Sequence, residues 1–237
     1  MQADGESGGV MIEFKSVSKI YLQGQRALQN ICFKVDRGDF VFLTGHSGAG
    51  KTSVLRLIAL IERVSMGNIL FNGEDVTDLS LNRIPYYRRH IGMIFQDHHL
   101  MMNRTVAENT ALPLLIQNYS MEESMERVSE VLERVGLKHK ENCYPVYLST
   151  GEQQRVGIAR AIIGKPDVLL ADEPTGNLDK ELSLEILSLF ESLNNDGTTV
   201  IMASHDIDLL KNGDHRVISL QNGHLIYDGN TDDFTGI

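Results

Sequence analysis

Eight consecutive residues, Gly45-His46-Ser47-Gly48-Ala49-Gly50-Lys51-Thr52, constrain this chain more than any other feature in it. They fit the pattern GxxxxGK[ST] completely, and they lie between an apolar run, Phe40-Val41-Phe42-Leu43, and a helical run from Ser53 to Glu62. Glycines let successive backbone N–H groups turn inward around phosphate oxygens without Cβ clashes, and the helix that follows adds the partial positive charge of its N-terminus. Lys51 is placed to reach the β- and γ-phosphates of a nucleotide, and the Thr52 hydroxyl to ligate Mg²⁺. A strand, loop and helix in this order make one unit of an α/β pattern.

Other strands follow the same logic. Ile91 to Phe95 reads as a strand ending at Gln96, Val168-Leu169-Leu170-Ala171 as one buried on both faces, and Thr198 to Ala203 as a further one. Residues 11–43 alternate in short β-rich pieces, and Val217 to Tyr227 reads as a hairpin turning at Asn222-Gly223. The expectation is a mainly parallel sheet core with an antiparallel β subdomain. Between Gln96 and Pro166 the pattern is helical, which predicts an inserted helical subdomain at about residues 97–165. Within it Ser120 and Glu123 form a capping box; Met121, Met125, Val128, Leu132 and Val135 line one face, and Gly136 stops the helix.

The strand ends carry the chemistry. Ligands of open α/β sheets gather at the carboxyl ends of strands, and four such ends here offer the phosphate loop, Gln96, Asp172-Glu173 and His205. Asp172 can hold Mg²⁺ or its water shell, and Glu173 can polarise an attacking water as general base. Leu148-Ser149-Thr150-Gly151-Glu152 opens a second helix running through Ala161, with Ser149 as N-cap and Gly151 allowing close backbone approach. Standing alone, that stretch reads as an ordinary capped helix. His98-His99, adjacent and without a Cys or carboxylate pattern around them, read as loop residues facing a partner rather than as metal ligands.

Composition removes several function classes. Asp plus Glu outnumber Lys plus Arg by 32 to 22, for a net charge of −10, so there is no basic footprint for nucleic acid or for anionic lipid. No apolar run approaches the roughly 18 residues a membrane-spanning helix needs, so a membrane location calls for a protein contact. Cys32 and Cys143, without CxxC spacing, suit a reduced compartment. Residues 1–10 are polar and glycine-rich and lack the build of a signal peptide, so they are expected to form a disordered leader or added extension ahead of a domain spanning 11–237.

Taken in order, the loop at 45–52, Gln96, LSTGEQQ at 148–154, VLLADE at 168–173, GNLD at 176–179 and His205 resemble the motifs of ABC ATPases over essentially everything from Met11 onward. The resemblance implies the P-loop NTPase fold of that family, ATP hydrolysis with Mg²⁺, and a head-to-tail homodimer sandwiching two ATPs. It assigns catalysis to Glu173, His205 and Gln96, and the metal to Thr52, Gln96 and Asp172. Nucleotide contacts fall on Gly45, His46, Ser47, Gly48, Ala49, Gly50, Lys51, Thr52 and Ser53, with Tyr21 stacking on adenine. Ser149, Gly151, Glu152 and Asp179 complete the ATP site, Ser149 and Gly151 touching the γ-phosphate held by the other subunit.

One position departs from the family pattern. The second signature residue, usually Gly, is Thr150, and a β-branched side chain would be strained there if φ had to be positive.

Within the family, IGMIFQDHHL at 91–100, NRTV at 103–106 and EQQRVGIARA at 152–161 are similar to the cell-division ATPases of bacteria. That similarity implies an integral membrane subunit (FtsX-like) as partner, a peripheral place on the cytoplasmic face of the inner membrane, no nucleic acid and no lipid anchor of its own. ATPases of lipoprotein-releasing or macrolide exporters share EPTGNLD and remain the nearest alternative, followed by soluble ABC ATPases acting on DNA and small-molecule P-loop kinases. DNA-acting members carry long coiled coils that no sustained heptad run here supplies, and a small kinase has no use for LSTGEQQ.

Overall fold

The computed structural model describes residues 9–176, 178–210 and 213–234. An antiparallel sheet comes first, from β1 (Val10–Ile20) and β2 (Arg26–Asp36), later joined by β4 (Met66–Phe71) and the two-residue β5 (Glu74–Asp75) in the order β2-β1-β4-β5. β3 (Phe40–Thr44) starts the second sheet and runs through the glycine loop into α1 (Lys51–Ile58). A short α2 (Ile84–Tyr87) precedes β6 (Ile91–Ile94), after which come α3 (Val106–Ile116), α4 (Met121–Arg134) and α5 (Thr150–Ile162). The chain then re-enters the sheet with β7 (Val168–Asp172), α6 (Lys180–Asn195), β8 (Thr199–Ala203), α7 (Ile207–Leu210), β9 (Arg216–Gln221) and β10 (His224–Asn230).

The second sheet has the order β10-β9-β3-β8-β7-β6. All its pairs are parallel except β9 with β10, an antiparallel hairpin whose turn residues Asn222 and Gly223 sit at φ 50° and 78°. Positive φ at both central positions matches the twist of the flanking strands, which is why Asn-Gly marks such turns. Parallel pairing puts the carboxyl ends of β3, β6, β7 and β8 on one edge.

Every residue of β3, β7 and β8 is buried, so each strand reads as a continuous apolar run with two destinations. Val41, Leu43, Leu170 and Ile201 face α1 and the antiparallel sheet, packing with Leu55, Ile58, Phe14 and Ile31. Phe42, Leu169 and Met202 face the other way, toward α5, α6 and the helical segment, in one cluster with Val106, Val128, Leu132 and Phe190. Among the described residues no helix is long and apolar enough to cross a membrane.

Two boundaries and one helix face differ from the sequence expectation. β1 begins at Val10, and Gly9 already accepts a hydrogen bond from the Arg37 amide, so ordered chain starts inside the stretch expected to be leader; its residues 1–8 lie outside the described residues. α1 stops at Ile58 rather than Glu62: Leu60 turns to φ 52°, the amides of Ile61 and Glu62 fold back onto the Arg56 carbonyl, and Lys19 holds Glu62 at 2.7 Å. On α4 the capping box is present, but Met121 is 44% exposed, because the apolar face meets its neighbours only from Met125 onward.

Candidate functional site

The loop between β3 and α1 keeps its shape through two close approaches that exclude a side chain. Gly45, at φ 140°, lies against the Leu220 carbonyl, 2.2 Å from where a Cβ would stand, and Gly50, at φ 114°, lies 2.7 Å in the same sense from the Ala27 carbonyl. These glycines therefore dock the loop against β9 and β2 as well as leaving room for a ligand. Gly50 is the N-cap of α1 and offers no side chain to its amides, whereas Thr105, Ser120, Ser149 and Asp179 each cap their helices by side-chain acceptance. The first N–H groups of α1 are left for a partner from outside the helix.

The lysine and both acidic residues meet beside this loop. Lys51, 5% exposed, donates to the Gly45 carbonyl at 2.7 Å and lies 3.4 Å from Glu173 Oε1. The other carboxylate oxygen, Oε2, is 3.3 Å from Nδ1 of His205, which is exposed at the end of β8. Glu173 stands just past β7 at φ 47°, its amide bonded to the Ala203 carbonyl, so a left-handed residue turns the side chain back over the strand ends. Thr52 Oγ1 donates to Asp172 Oδ1 at 3.0 Å. Burial, above all, raises the Asp172 pKa; the Thr52 hydrogen bond opposes this and neighbouring Glu173 adds to it. A half-buried hydroxyl beside a buried carboxylate whose negative charge is disfavoured suits a small hard cation.

A cleft of 300 Å³ opens there between Thr44, Gly45, His46, Ser47, Glu173, His205 and Phe234. A second, of 540 Å³, shares Glu173 and His205 and runs past Gly176 toward α6. Tyr21 reaches the loop from the antiparallel sheet: its hydroxyl is 3.2 Å from Ser53 Oγ on α1, and Lys19 Nζ sits 4.9 Å from its ring centre. Gln96 follows β6 at the outer strand of the same edge and is exposed.

Four expected residues lie elsewhere, at the starts of α5 and α6. Ser149 accepts from the Glu152 amide at 3.3 Å while the Glu152 carboxylate accepts from the Ser149 amide at 2.9 Å, and Lys140 clamps the same carboxylate at 2.5 Å. Asp179 caps α6 by accepting from the Leu182 amide at 2.9 Å. A Cβ on Gly151 would stand 2.3 Å from the Cδ2 methyl of Leu182, so the start of α5 lies close against α6 at this glycine. Thr150 is the first residue of α5 and has no positive φ, so the strain conceivable from its β-branch does not arise. Asn177, within the GNLD turn, lies outside the described residues.

Sequence reasoning missed Phe234 as a wall of the cleft. It packs on Tyr227 with ring centres 5.2 Å apart, and nothing in the local pattern near the end of the chain ties it to a loop at 44–47. His98, read as a loop residue facing a partner, is half-buried with its Nδ1 enclosed, while His99 is exposed, and Arg160 donates to the carbonyls of both.

Comparison with known proteins bears on this geometry. The family model described as ABC transporter matches residues 28–176. Cell division ATP-binding protein FtsE of Escherichia coli (strain K12) is 55% identical over 215 residues, covering 91% of this chain and 97% of that one. FtsE of Bacillus subtilis (strain 168) is 44% identical over 218 residues, with 92% and 96% covered. Among solved structures, a dimeric, post-hydrolysis state of the ATP-binding cassette MJ0796 bound to ADP and Pi superposes with a TM-score of 0.87 at 34% identity, covering 94% of this chain and all of that chain (100%).

Proposed function

Since the chain belongs to the ABC transporter family, as an ATP-binding and ATP-hydrolysing cassette, we propose that it is the ATPase of a bacterial cell-division complex. In this role it works as a homodimer on an FtsX-like integral membrane subunit at the cytoplasmic face of the inner membrane, where turnover regulates septal peptidoglycan hydrolysis. The cell-division role is supported by the end-to-end likeness to proteins named FtsE. The catalytic assignment rests on one observation: a single carboxylate, Glu173, held between Lys51 and His205.

In this mechanism ATP lies along the loop, its phosphates accepting from the uncapped amides of α1 and from Lys51, and its adenine on Tyr21. His46 and Ser47 line the cleft beside them. Thr52 and Asp172 would hold Mg²⁺, with Gln96 contributing from the edge strand; once bound, the ion offsets charge on the phosphate oxygens. Drawing Lys51 toward phosphate separates it from Glu173, whose carboxylate is then free to take a proton from the attacking water. The water oxygen bonds to the γ-phosphorus as the bond to the β–γ bridging oxygen breaks, and ADP and phosphate leave. His205, on the far carboxylate oxygen, orients Glu173 and faces the γ-phosphate. Ser149, Gly151, Glu152 and Asp179 do not line this cleft, and in the dimer they complete the partner's.

The membrane contact is placed on the segment after Gln96, where Met101 and Met102 are 43% and 50% exposed while Leu100 and Leu114 are buried. Methionine side chains adapt to a helix laid across them. Replacing both with Asp should abolish co-sedimentation with vesicles carrying the FtsX-like subunit and leave ATP binding by the isolated chain unchanged. Retained co-sedimentation places the contact elsewhere, and lost ATP binding makes the methionines part of the fold.

A further inference from the structure

On β1, two residues before Tyr21, stands a buried lysine. Lys19 is 8% exposed, and a charged side chain is seldom so enclosed unless it is paired. Its ammonium donates to the Arg63 carbonyl at 2.8 Å and meets a Glu62 carboxylate oxygen at 2.7 Å. Both acceptors lie just past α1, where Leu60 at φ 52° brings the chain back toward β1. The same stretch is pinned farther along, since the Ser65 amide donates to the Ser18 carbonyl and Ser65 Oγ accepts from the Ile20 amide. The segment after α1 therefore sets where the ammonium stands, rather than the flexible stem that carries it.

That ammonium lies over the Tyr21 ring, 4.9 Å from its centre. Tyr21 is held at other points as well. Its hydroxyl is 3.2 Å from Ser53 Oγ on α1, its amide donates to the Gln25 carbonyl, and its carbonyl accepts from the Gly24 amide. With one face taken by a fixed cation, a planar ligand has only the opposite face on which to stack. The cation also changes what that face offers. Aromatic faces carry partial negative charge, so two rings stacked squarely repel. An ammonium behind the tyrosine draws that charge back and leaves the open face better suited to a base.

We propose that Lys19, held by Glu62 and the Arg63 carbonyl, is a positioning residue for the nucleotide base: it fixes the Tyr21 ring from behind and so decides which face meets the adenine. The inference rests on the reading above, in which Tyr21 stacks on adenine. Lys19 acts through the ring and touches neither base nor phosphate. The base end of the ATP site is thereby tied to both ends of one helix, Ser53 standing in the first turn of α1 and Glu62 beyond its last.

Calorimetry on the full chain tests this, with ADP and with tripolyphosphate as a probe that lacks a base. Lys19→Gln keeps a donor for the Arg63 carbonyl and removes the charge. ADP should then bind roughly three- to tenfold more weakly, the scale of one partly desolvated cation–π contact, and tripolyphosphate as it does to the parent. Lys19→Arg retains a cation for the ring and should recover most of the ADP affinity. In a Tyr21→Ala background Lys19→Gln should weaken ADP no further, because the ring through which it acts is gone. If Lys19→Gln melts too low to assay, Lys19→Gln/Glu62→Gln leaves no buried charge unpaired and carries the same expectations. Parental ADP affinity in Lys19→Gln, an equal loss of tripolyphosphate, no recovery with Arg, or an additive loss on Tyr21→Ala overturns the positioning role. Parental ADP affinity in Tyr21→Ala alone overturns instead the adenine reading on which that role stands.

Discussion

The N-termini of α1 and α5 are two answers to the same problem, since every helix begins with N–H groups that lack partners inside it. α5 resolves this internally: Ser149 and Glu152 form a reciprocal capping box, and the Lys140 ammonium, followed by the bond from the Ser149 amide, holds the Glu152 pKa down. α1 does not, because its N-cap is Gly50, and Lys51 folds back on loop carbonyls instead. A helix end that waits for its partner is a ligand site, and one that is already satisfied can present only what remains exposed. On the proposed reading phosphate caps α1, whereas α5, its start already satisfied, presents Ser149 to a neighbouring subunit.

The largest effects should fall on the α1 side, where the groups are already assembled. Glu173→Gln preserves shape but removes the base, so phosphate release should slow by roughly 10²–10⁴-fold while ATP stays bound. The same variant should then elute as a dimer with Mg-ATP in gel filtration. Monomer only, or release at the parental rate, removes Glu173 from its role. Tyr21→Ala comes next. Aromatic stacking of a base is worth about 1–3 kcal/mol in single-stranded nucleic-acid complexes, which converts to roughly 5- to 150-fold weaker ATP binding by calorimetry. Unchanged affinity would make Tyr21 a packing residue that merely bonds Ser53.

Asp172 sharpens the contrast, because preassembly has a cost measurable without nucleotide. Its folded-state pKa lies above the ordinary value of 3.8, chiefly through burial. The native state thus holds the proton more tightly than the unfolded chain, and stability present below that ordinary value is lost as pH rises through the raised one. Asp172→Asn should accordingly melt at or above the parent at neutral pH in nucleotide-free protein and flatten the decline with pH. Mg²⁺-dependent turnover should fall in the same variant. A lower melting temperature at neutral pH would mean that the carboxylate stabilises the fold through its bond to Thr52.

The two ends also differed in how far the sequence exposed them. The loop at 45–52, the run Val168–Asp172 and the Asn222-Gly223 turn were legible because each is local: a glycine pattern, a continuous apolar strand and a turn dipeptide. The box at Ser149 and Glu152 was legible only in part; Ser149 could be recognised as a cap, but the Lys140 clamp and the contact of Gly151 with Leu182 join distant segments. Phe234 at the cleft and Arg160 beneath His98 and His99 are of the same kind, since no periodicity in one segment reports what another places against it. The end of α1 was overrun for a different reason, the apolar pattern continuing past Leu60 where the backbone does not.

The smallest effect on the isolated chain is expected at Ser149, and it separates capping from recognition. Ser149→Ala removes the side-chain acceptor for the Glu152 amide, a loss of about 1 kcal/mol, or roughly 2–4 °C in melting temperature for a domain of this size. ATP binding by the isolated chain should not change, because the hydroxyl lies outside the lining of the chain's own cleft. Ser149→Asp keeps an oxygen acceptor and favours the helix N-terminus, so it should melt close to the parent. In the dimer it would set a carboxylate against the partner's γ-phosphate, and like charges at that range repel strongly in a closed interface. In a Glu173→Gln background Ser149→Asp should therefore elute as monomer with Mg-ATP, while Ser149→Ala still dimerises at higher protein concentration. Equal dimerisation by both variants would leave Ser149 as a cap and nothing more, and the comparison between the two helix ends would then rest on α1 alone.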